Sequence, residues 1–136
     1  MAQPVHILVV DDEPDVELMF RHKFRKEIKA KKVDFHFSLS ATDALAYLEM
    51  PVHRAEATLI LSDINMPGMN GLELLKTIKE AFPQLPVFMV TAYGDETNQQ
   101  TAKNYGANGF INKPVDFAQL KKDIFSLVES SSTTVG

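Results

Sequence analysis

Three carboxylates, a hydroxyl and an amine stand where short apolar runs of this chain stop. Asp11 and Asp12 follow VHILVV, Asp63 closes the TLILSD segment, Thr91 follows VFMV, and Lys113 ends the stretch GFINK. Carboxylates gathered at one place repel one another, and are tolerated only with a proton, a cation or strong hydrogen bonds. Oxygen ligands alone suit a hard octahedral ion such as Mg²⁺, which keeps several waters and takes one or two carboxylates plus phosphate oxygens. A carboxylate can also attack phosphorus and form an aspartyl phosphate. Phosphoryl transfer then asks the protein mainly for positioning and charge neutralisation, which an ammonium such as Lys113 and a donor such as the Thr91 hydroxyl can supply. Taken singly, each residue is ordinary: an Asp pair is a solvated loop, a lone Thr a strand end, a lone Lys a surface cation. The chemistry depends on their meeting.

The elements that must bring them together are legible in the apolar pattern. Val5 to Val10, Val33 to Leu39, Thr58 to Leu61, Val87 to Val90 and Gly109 to Ile111 read as strands. The first, third and fourth are almost continuously apolar, as strands covered on both faces should be. The second alternates, with Val33, Phe35, Phe37 and Leu39 against Asp34, His36 and Ser38, which suits an edge. Helical patterns lie near 15–30, 41–49, 70–82, 95–104 and 116–129; in the first, Val16, Phe20, Phe24 and Ile28 form one apolar stripe. Ser40, Asn70 and Asp116 stand where N-caps belong, and Gly106 where a C-terminal cap belongs. Strict alternation with short connections predicts an α/β fold, a five-stranded parallel doubly wound sheet of (βα)5 type. Its expected strand order is the flavodoxin-like 2-1-3-4-5. Ligands of such sheets bind beyond the carboxyl ends of the strands, at the switch point between strands 1 and 3. All five polar residues fall at that end.

With these residues in place the chain resembles the receiver domain of two-component response regulators. The matching segments are Asp11-Asp12-Glu13; Asp63-Ile64-Asn65-Met66-Pro67-Gly68-Met69-Asn70-Gly71; Thr91-Ala92; and Lys113-Pro114. Their separations agree as well, with 51 residues from Asp12 to Asp63, 28 on to Thr91 and 22 on to Lys113. The resemblance spans roughly residues 5–128. It implies that Asp63 is the phosphoacceptor and that Asp11, Asp12, Asp63 and the backbone carbonyl of Asn65 hold Mg²⁺. It further implies that Thr91 and Phe110 form the switch, that Lys113 pairs with the phosphoryl group, and that the Lys113–Pro114 bond is cis. Phe110 departs from the family, many of whose members carry Tyr there and so offer a hydroxyl. Tyr93 and Asn65 would flank the path of hydrolytic water. The implied donor is a sensor histidine kinase or phosphotransfer protein, docking on the first helix through Leu18, His22 and Arg25, which point away from its core stripe.

Composition narrows the classes further. The 136 residues are 45% apolar and 24% charged, as expected of one packed domain, with a short polar tail over 130–136 expected to be disordered and the receiver over 1–129. There is no Cys, so neither a disulfide framework nor a thiolate zinc site is available. A formal net charge of −4 argues against a direct nucleic-acid partner. His6, His22, His36 and His53 show no ligand spacing, and the basic run Lys23 to Lys32 reads as a solvated helix face. No leader pattern precedes the first strand, and no apolar run nears the roughly 20 residues a membrane span needs, so a cytoplasmic protein is expected. Two other classes fit the motifs less well. A phosphohydrolase of the haloacid-dehalogenase type would carry its nucleophile in a DxD on the first strand, and a flavodoxin-like carrier would have Ser, Thr and Gly where DDEPD stands. A switch, and not a turnover enzyme, is the expectation, with output through contact with an unidentified protein. The helix near 95–104 has only Lys103 as a basic residue, which disfavours a charge-paired dimer and leaves a monomer or a phosphorylation-sensitive dimer open.

Overall fold

The computed structural model describes residues 4–64, 70–92 and 95–133. Five strands, β1 (Val5–Val10), β2 (Val33–Ser38), β3 (Ala57–Asp63), β4 (Val87–Thr91) and β5 (Gly109–Asn112), form one sheet in the order β2-β1-β3-β4-β5. Every pairing is parallel. Seven helices complete the described chain: α1 (Asp15–Lys23), α2 (Arg25–Lys29), α3 (Ala41–Glu49), α4 (Pro51–Glu56), α5 (Gly71–Ala81), α6 (Glu96–Asn104) and α7 (Phe117–Thr133). The doubly wound α/β reading therefore holds, strand order included.

Alternate residues of the inner strands serve opposite layers, because side chains leave a strand on alternating faces. Leu8, Val10, Ile60 and Met89 pack with Ala44, Leu48, Leu75 and Ile78 under α3, α5 and α6. Ile7, Val9, Leu59 and Leu61 pack with Phe20, Phe24, Leu120 and Ile124 under α1 and α7. The second layer is aromatic. Phe20 meets Phe35, Phe37 and Phe117 edge-on at 5.7, 6.1 and 5.1 Å between ring centroids, a favoured arrangement of ring quadrupoles. The alternation read in β2 holds over its first four residues, with Val33 and Phe35 buried and Asp34 and His36 exposed, but reverses at the end, where the strand stops at a buried Ser38 and Leu39 is 53% exposed.

Capping follows the sequence. Ser40 and Asn70 accept from the amides of Asp43 and Glu73 at 3.0 and 2.9 Å, and Asp116 accepts from Gln119 at 3.2 Å, each satisfying an orphan donor of a first turn. Gly106 has φ +100°, and the Ala107 and Gly106 amides return to the carbonyls of Ala102 and Lys103, a Schellman closure of α6.

Three departures from the sequence reading are local. The first helical pattern is two helices, because the backbone leaves helical angles at the fully buried Phe24 (φ −103°, ψ 14°). Bonds from the Phe24 amide to Phe20 and from the Ile28 amide to Phe24 keep the apolar stripe on one face across that junction. α4 fills what read as a connection; Pro51 in its first turn is a start signal, needing no N–H there. The last helix runs to Thr133, past the expected boundary at 129, so Ser130 to Thr133 continue it and do not stand outside as a tail. Neither Gly nor Pro interrupts the chain before Gly136, and a formed helix adds residues at little cost. Among the described residues no helix is long and apolar enough to cross a membrane.

Candidate functional site

The parallel register sets the ends of β1, β3, β4 and β5 side by side. Val10 lies opposite Ser62, Asp63 opposite Val90, and Thr91 opposite Asn112. The loop after β1 therefore brings Asp11 and Asp12 to the end of β3, where Asp63 is 4% exposed. One carboxylate oxygen from each of these three residues lies within 4.8 Å of the other two. The Glu13 amide donates to Asp11 Oδ1 at 2.9 Å, and the Asp11 amide donates to the Ser38 carbonyl at 3.1 Å, which holds the loop to the neighbouring strand.

Lys113 enters from β5. Its Nζ donates to Asp63 Oδ2 at 2.8 Å, a charge-assisted contact to a nearly buried carboxylate. The Lys113 amide is bonded to the Thr91 carbonyl at 2.9 Å, and the Lys113–Pro114 bond is cis. Thr91 is 1% exposed, and its Oγ1 donates to Asn112 Oδ1 at 3.1 Å. Phe110 is half-buried, packed against the aliphatic layer.

Charge crowding marks the place. Burial is the chief force raising the Asp11 carboxyl above its ordinary range, with Asp63 and Glu13 adding to it; the Glu13 amide and Lys113 pull the other way. For Lys113 burial is again the largest single influence and would lower it, yet the bond to Asp63 and the charges of Asp63, Asp11 and Glu13 together carry it above its ordinary value. The ammonium is thus held charged, one cation against three carboxylates. An all-oxygen donor set with excess negative charge fits a hard divalent cation, so Asp11, Asp12 and Asp63 are the residues that would hold Mg²⁺. The Asn65 carbonyl expected to join them, like Tyr93, lies outside the described residues.

Two contributors were not singled out in the sequence. Asn112 accepts the Thr91 hydroxyl; a polar residue ending a strand directly across from a site threonine is its only signal. Gly71, which in the sequence only ends the matching segment that begins at Asp63, opens α5, where a Cβ would overlap the Asp63 carbonyl oxygen. Its amide instead bonds the Ile64 carbonyl at 2.8 Å. Beside the carboxylates, an apolar cleft of about 260 Å³ opens between α1 and the segment after β5, lined by Val16, Met19, Phe20, Pro114 and Val115 with Asp63 and Lys113 at its head. Leu18 stands on the outer face of α1, 69% exposed, with His22 and Arg25 also exposed and the Arg25 guanidinium on the His22 carbonyl at 2.9 Å.

A family model of the response regulator receiver domain matches residues 7–125. Chemotaxis protein CheY-3 of Vibrio cholerae is 33% identical over 125 residues, covering 90% of this chain and 91% of that protein. Response regulator protein PilR of Pseudomonas aeruginosa is 34% identical over 115 residues, 85% of this chain, and response regulator Rre1 of Synechocystis is 34% identical over 94% of it. The match spans 24% of PilR and 53% of Rre1. Among solved structures, a CheY-like receiver domain protein from Methanospirillum hungatei superposes with a TM-score of 0.80 at 28% identity, covering 96% of this chain and 99% of that one. A receiver domain from Clostridium thermocellum superposes at 0.82 and 23% identity over 96% and 98% of the two chains, a likeness of fold.

Proposed function

The chain belongs to the response regulator receiver domain family, and from that premise we propose that it is a phosphoacceptor switch, phosphorylated on Asp63. The observation that carries the reading is the Asp63 carboxylate at the end of β3, paired with Lys113 at 2.8 Å and facing Asp11 and Asp12. The donor is a phospho-histidine of a sensor kinase or phosphotransfer protein. A carboxylate oxygen of Asp63 attacks phosphorus, the P–O bond forms as the P–N bond breaks, and the electron pair leaves on the imidazole, which takes up a proton. Lys113 stays charged and offsets the phosphoryl oxygens, while Asp11 is held in place by its bonds to the Glu13 amide and the Ser38 carbonyl, with Asp12 beside it in the chain. Mg²⁺, when bound by Asp11, Asp12 and Asp63, supplies charge neutralisation for the transferred group. Thr91 and Phe110 then rearrange and alter a surface read by another protein.

The phosphoryl group rests on the protein's own side chain, so the role is that of a switch and not of a turnover enzyme. Leu18, with His22 and Arg25 around it, is the proposed anchor for the kinase; a single apolar residue with a basic rim suits a small transient interface. The proposed compartment is the cytoplasm, where a kinase has ATP to draw on. The test is exposure to acetyl phosphate and Mg²⁺. One acid-labile, hydroxylamine-sensitive phosphate per chain is expected, and none in Asp63→Asn, because an amide is not a competent nucleophile. Stoichiometric labelling of that variant would remove Asp63 from the role, and steady hydrolysis of phosphate monoesters would return the phosphohydrolase reading.

A further inference from the structure

A threonine hydroxyl carries one proton, and in this protein that proton already has an acceptor. Thr91 Oγ1 donates to Asn112 Oδ1 at 3.1 Å. The two residues are direct partners in the β4·β5 register, and the Lys113 amide closes on the Thr91 carbonyl at 2.9 Å, which ties the two strand ends together. A phosphoryl group offers acceptors only, so Thr91 can serve it only by withdrawing the proton from Asn112.

Burial makes this a choice between two states. Thr91 is 1% exposed, so its hydroxyl does not exchange freely with water, and a buried donor without a partner is costly. Asn112 is exposed, so its carbonyl returns to water when released. The hydroxyl therefore has two stable arrangements, and Asn112 stabilises one of them. We propose that Asn112 is a positioning residue of the switch: its side-chain carbonyl holds the Thr91 hydroxyl in the unphosphorylated arrangement and sets how many molecules stand ready for the anion. The proposal rests on the reading of Asp63 as phosphoacceptor. It goes beyond that reading in assigning the resting partner of Thr91 to a residue outside the carboxylate cluster.

The energetic consequence is a shift of population. A ligand that binds one of two states is weakened by the fraction held in the other. Removing one ordinary hydrogen bond that opposes binding should tighten an anion mimic by about two- to tenfold.

The test uses the whole chain with Mg²⁺ and beryllofluoride, titrated calorimetrically, in wild type, Asn112→Ala, Thr91→Val and the double variant. Asn112→Ala should bind about two- to tenfold tighter than wild type, and the gain should vanish in the Thr91→Val background, since the effect runs through that hydroxyl. Equal or weaker binding by Asn112→Ala, or the same gain without Thr91, overturns the proposal. A second readout follows the Thr91 χ1 rotamer by three-bond carbon couplings to its methyl. A single rotamer is expected in wild type, averaging in Asn112→Ala, and a single rotamer again in Asn112→Asp, which keeps the accepting oxygen. A rotamer unchanged in Asn112→Ala overturns the proposal by itself. If beryllofluoride binds no form of the protein, the phosphoacceptor reading fails, and the rotamer result still decides the role of Asn112.

Discussion

The end of β3 and the end of β5 sit two strands apart and are built in opposite ways. β3 lies between β1 and β4, its last residue is nearly buried, and the backbone beyond it is fastened to two other elements. The Ile64 amide reaches the Val90 carbonyl at 3.3 Å, and the Gly71 amide reaches the Ile64 carbonyl at 2.8 Å. β5 is an edge strand of four residues, paired with β4 alone. Open clefts of about 380 and 290 Å³ adjoin it, and Phe110 lines both. In-line attack on phosphorus requires a nucleophile that does not wander. A changed surface requires an element with a second arrangement close in energy. On the proposed reading the acceptor belongs to a central strand and Phe110 to an edge strand, so the two demands fall on different parts of the sheet.

The contrast can be broken first at its rigid side. Gly71→Ala puts a methyl against the Asp63 carbonyl, so the helix or the strand end must shift. A loss of about 1–3 kcal/mol is expected, read from urea unfolding, together with slower acetyl phosphate labelling. Unchanged stability and labelling would show that the strand end yields easily. Leu18→Asp tests whether phosphate arrives on the α1 flank of that same end. Transfer from the cognate kinase should fall about tenfold, roughly 1.4 kcal/mol, with acetyl phosphate labelling intact. Equal loss with both donors would indicate a folding defect instead. At the yielding side, Phe110→Ala removes a half-buried ring and should cost about 1 kcal/mol while Asp63 still labels at the normal rate. Slowed labelling would mean that the two ends are not separate.

The smallest effect is expected away from both, where the His36 ring stacks on Tyr47 at 3.8 Å and Tyr47 on His53 at 3.9 Å. Partial desolvation, with one ring face against Tyr47, chiefly holds the otherwise exposed His36 below its ordinary value; His53 adds to this, while Asp43, Glu17 and Asp34 oppose it. The unfolded chain therefore takes up this proton first. The contribution of this group to stability is fully present above about pH 6.5 and is lost as pH falls through the lower folded value. Unfolding midpoints measured from pH 7.5 down to 5 should decline less in His36→Phe than in wild type, and an identical decline would assign the slope to other groups.

What could be read from the chain divides along a physical line. Apolar runs such as VHILVV and caps such as Ser40 and Asn70 are local signals, and the fold they predict is the one observed. The strand ends likewise pointed to Asp11, Asp12, Asp63, Thr91 and Lys113, which the structure gathers at one end of the sheet. Asn112 escaped notice because its meaning lies in register: it is 21 residues from Thr91 and becomes its acceptor only once β4 and β5 are paired. The role of Gly71 is not legible locally because its constraint comes from the backbone of the β3 end, which no local pattern encodes. α4 was passed over although Pro51 announced it, since six residues carry too little periodicity to register.

The aromatic layer has a consequence for the order in which the molecule can be made. Phe20 and Phe24 meet the Phe117 ring at 5.1 and 6.1 Å, and Lys121 pairs with Glu27 at 3.2 Å, so the first helices close against the last. A chain emerging from the ribosome has produced all five strands by Asn112, yet it still lacks α7, which shares the covering of one face with α1. Until α7 is free, the rings on α1 have no lid, and the sheet is a half-finished sandwich with greasy residues turned to water. Domains rich in such end-to-end contacts fold late and together. The layer that the first helices began can close only once α7 has left the ribosome.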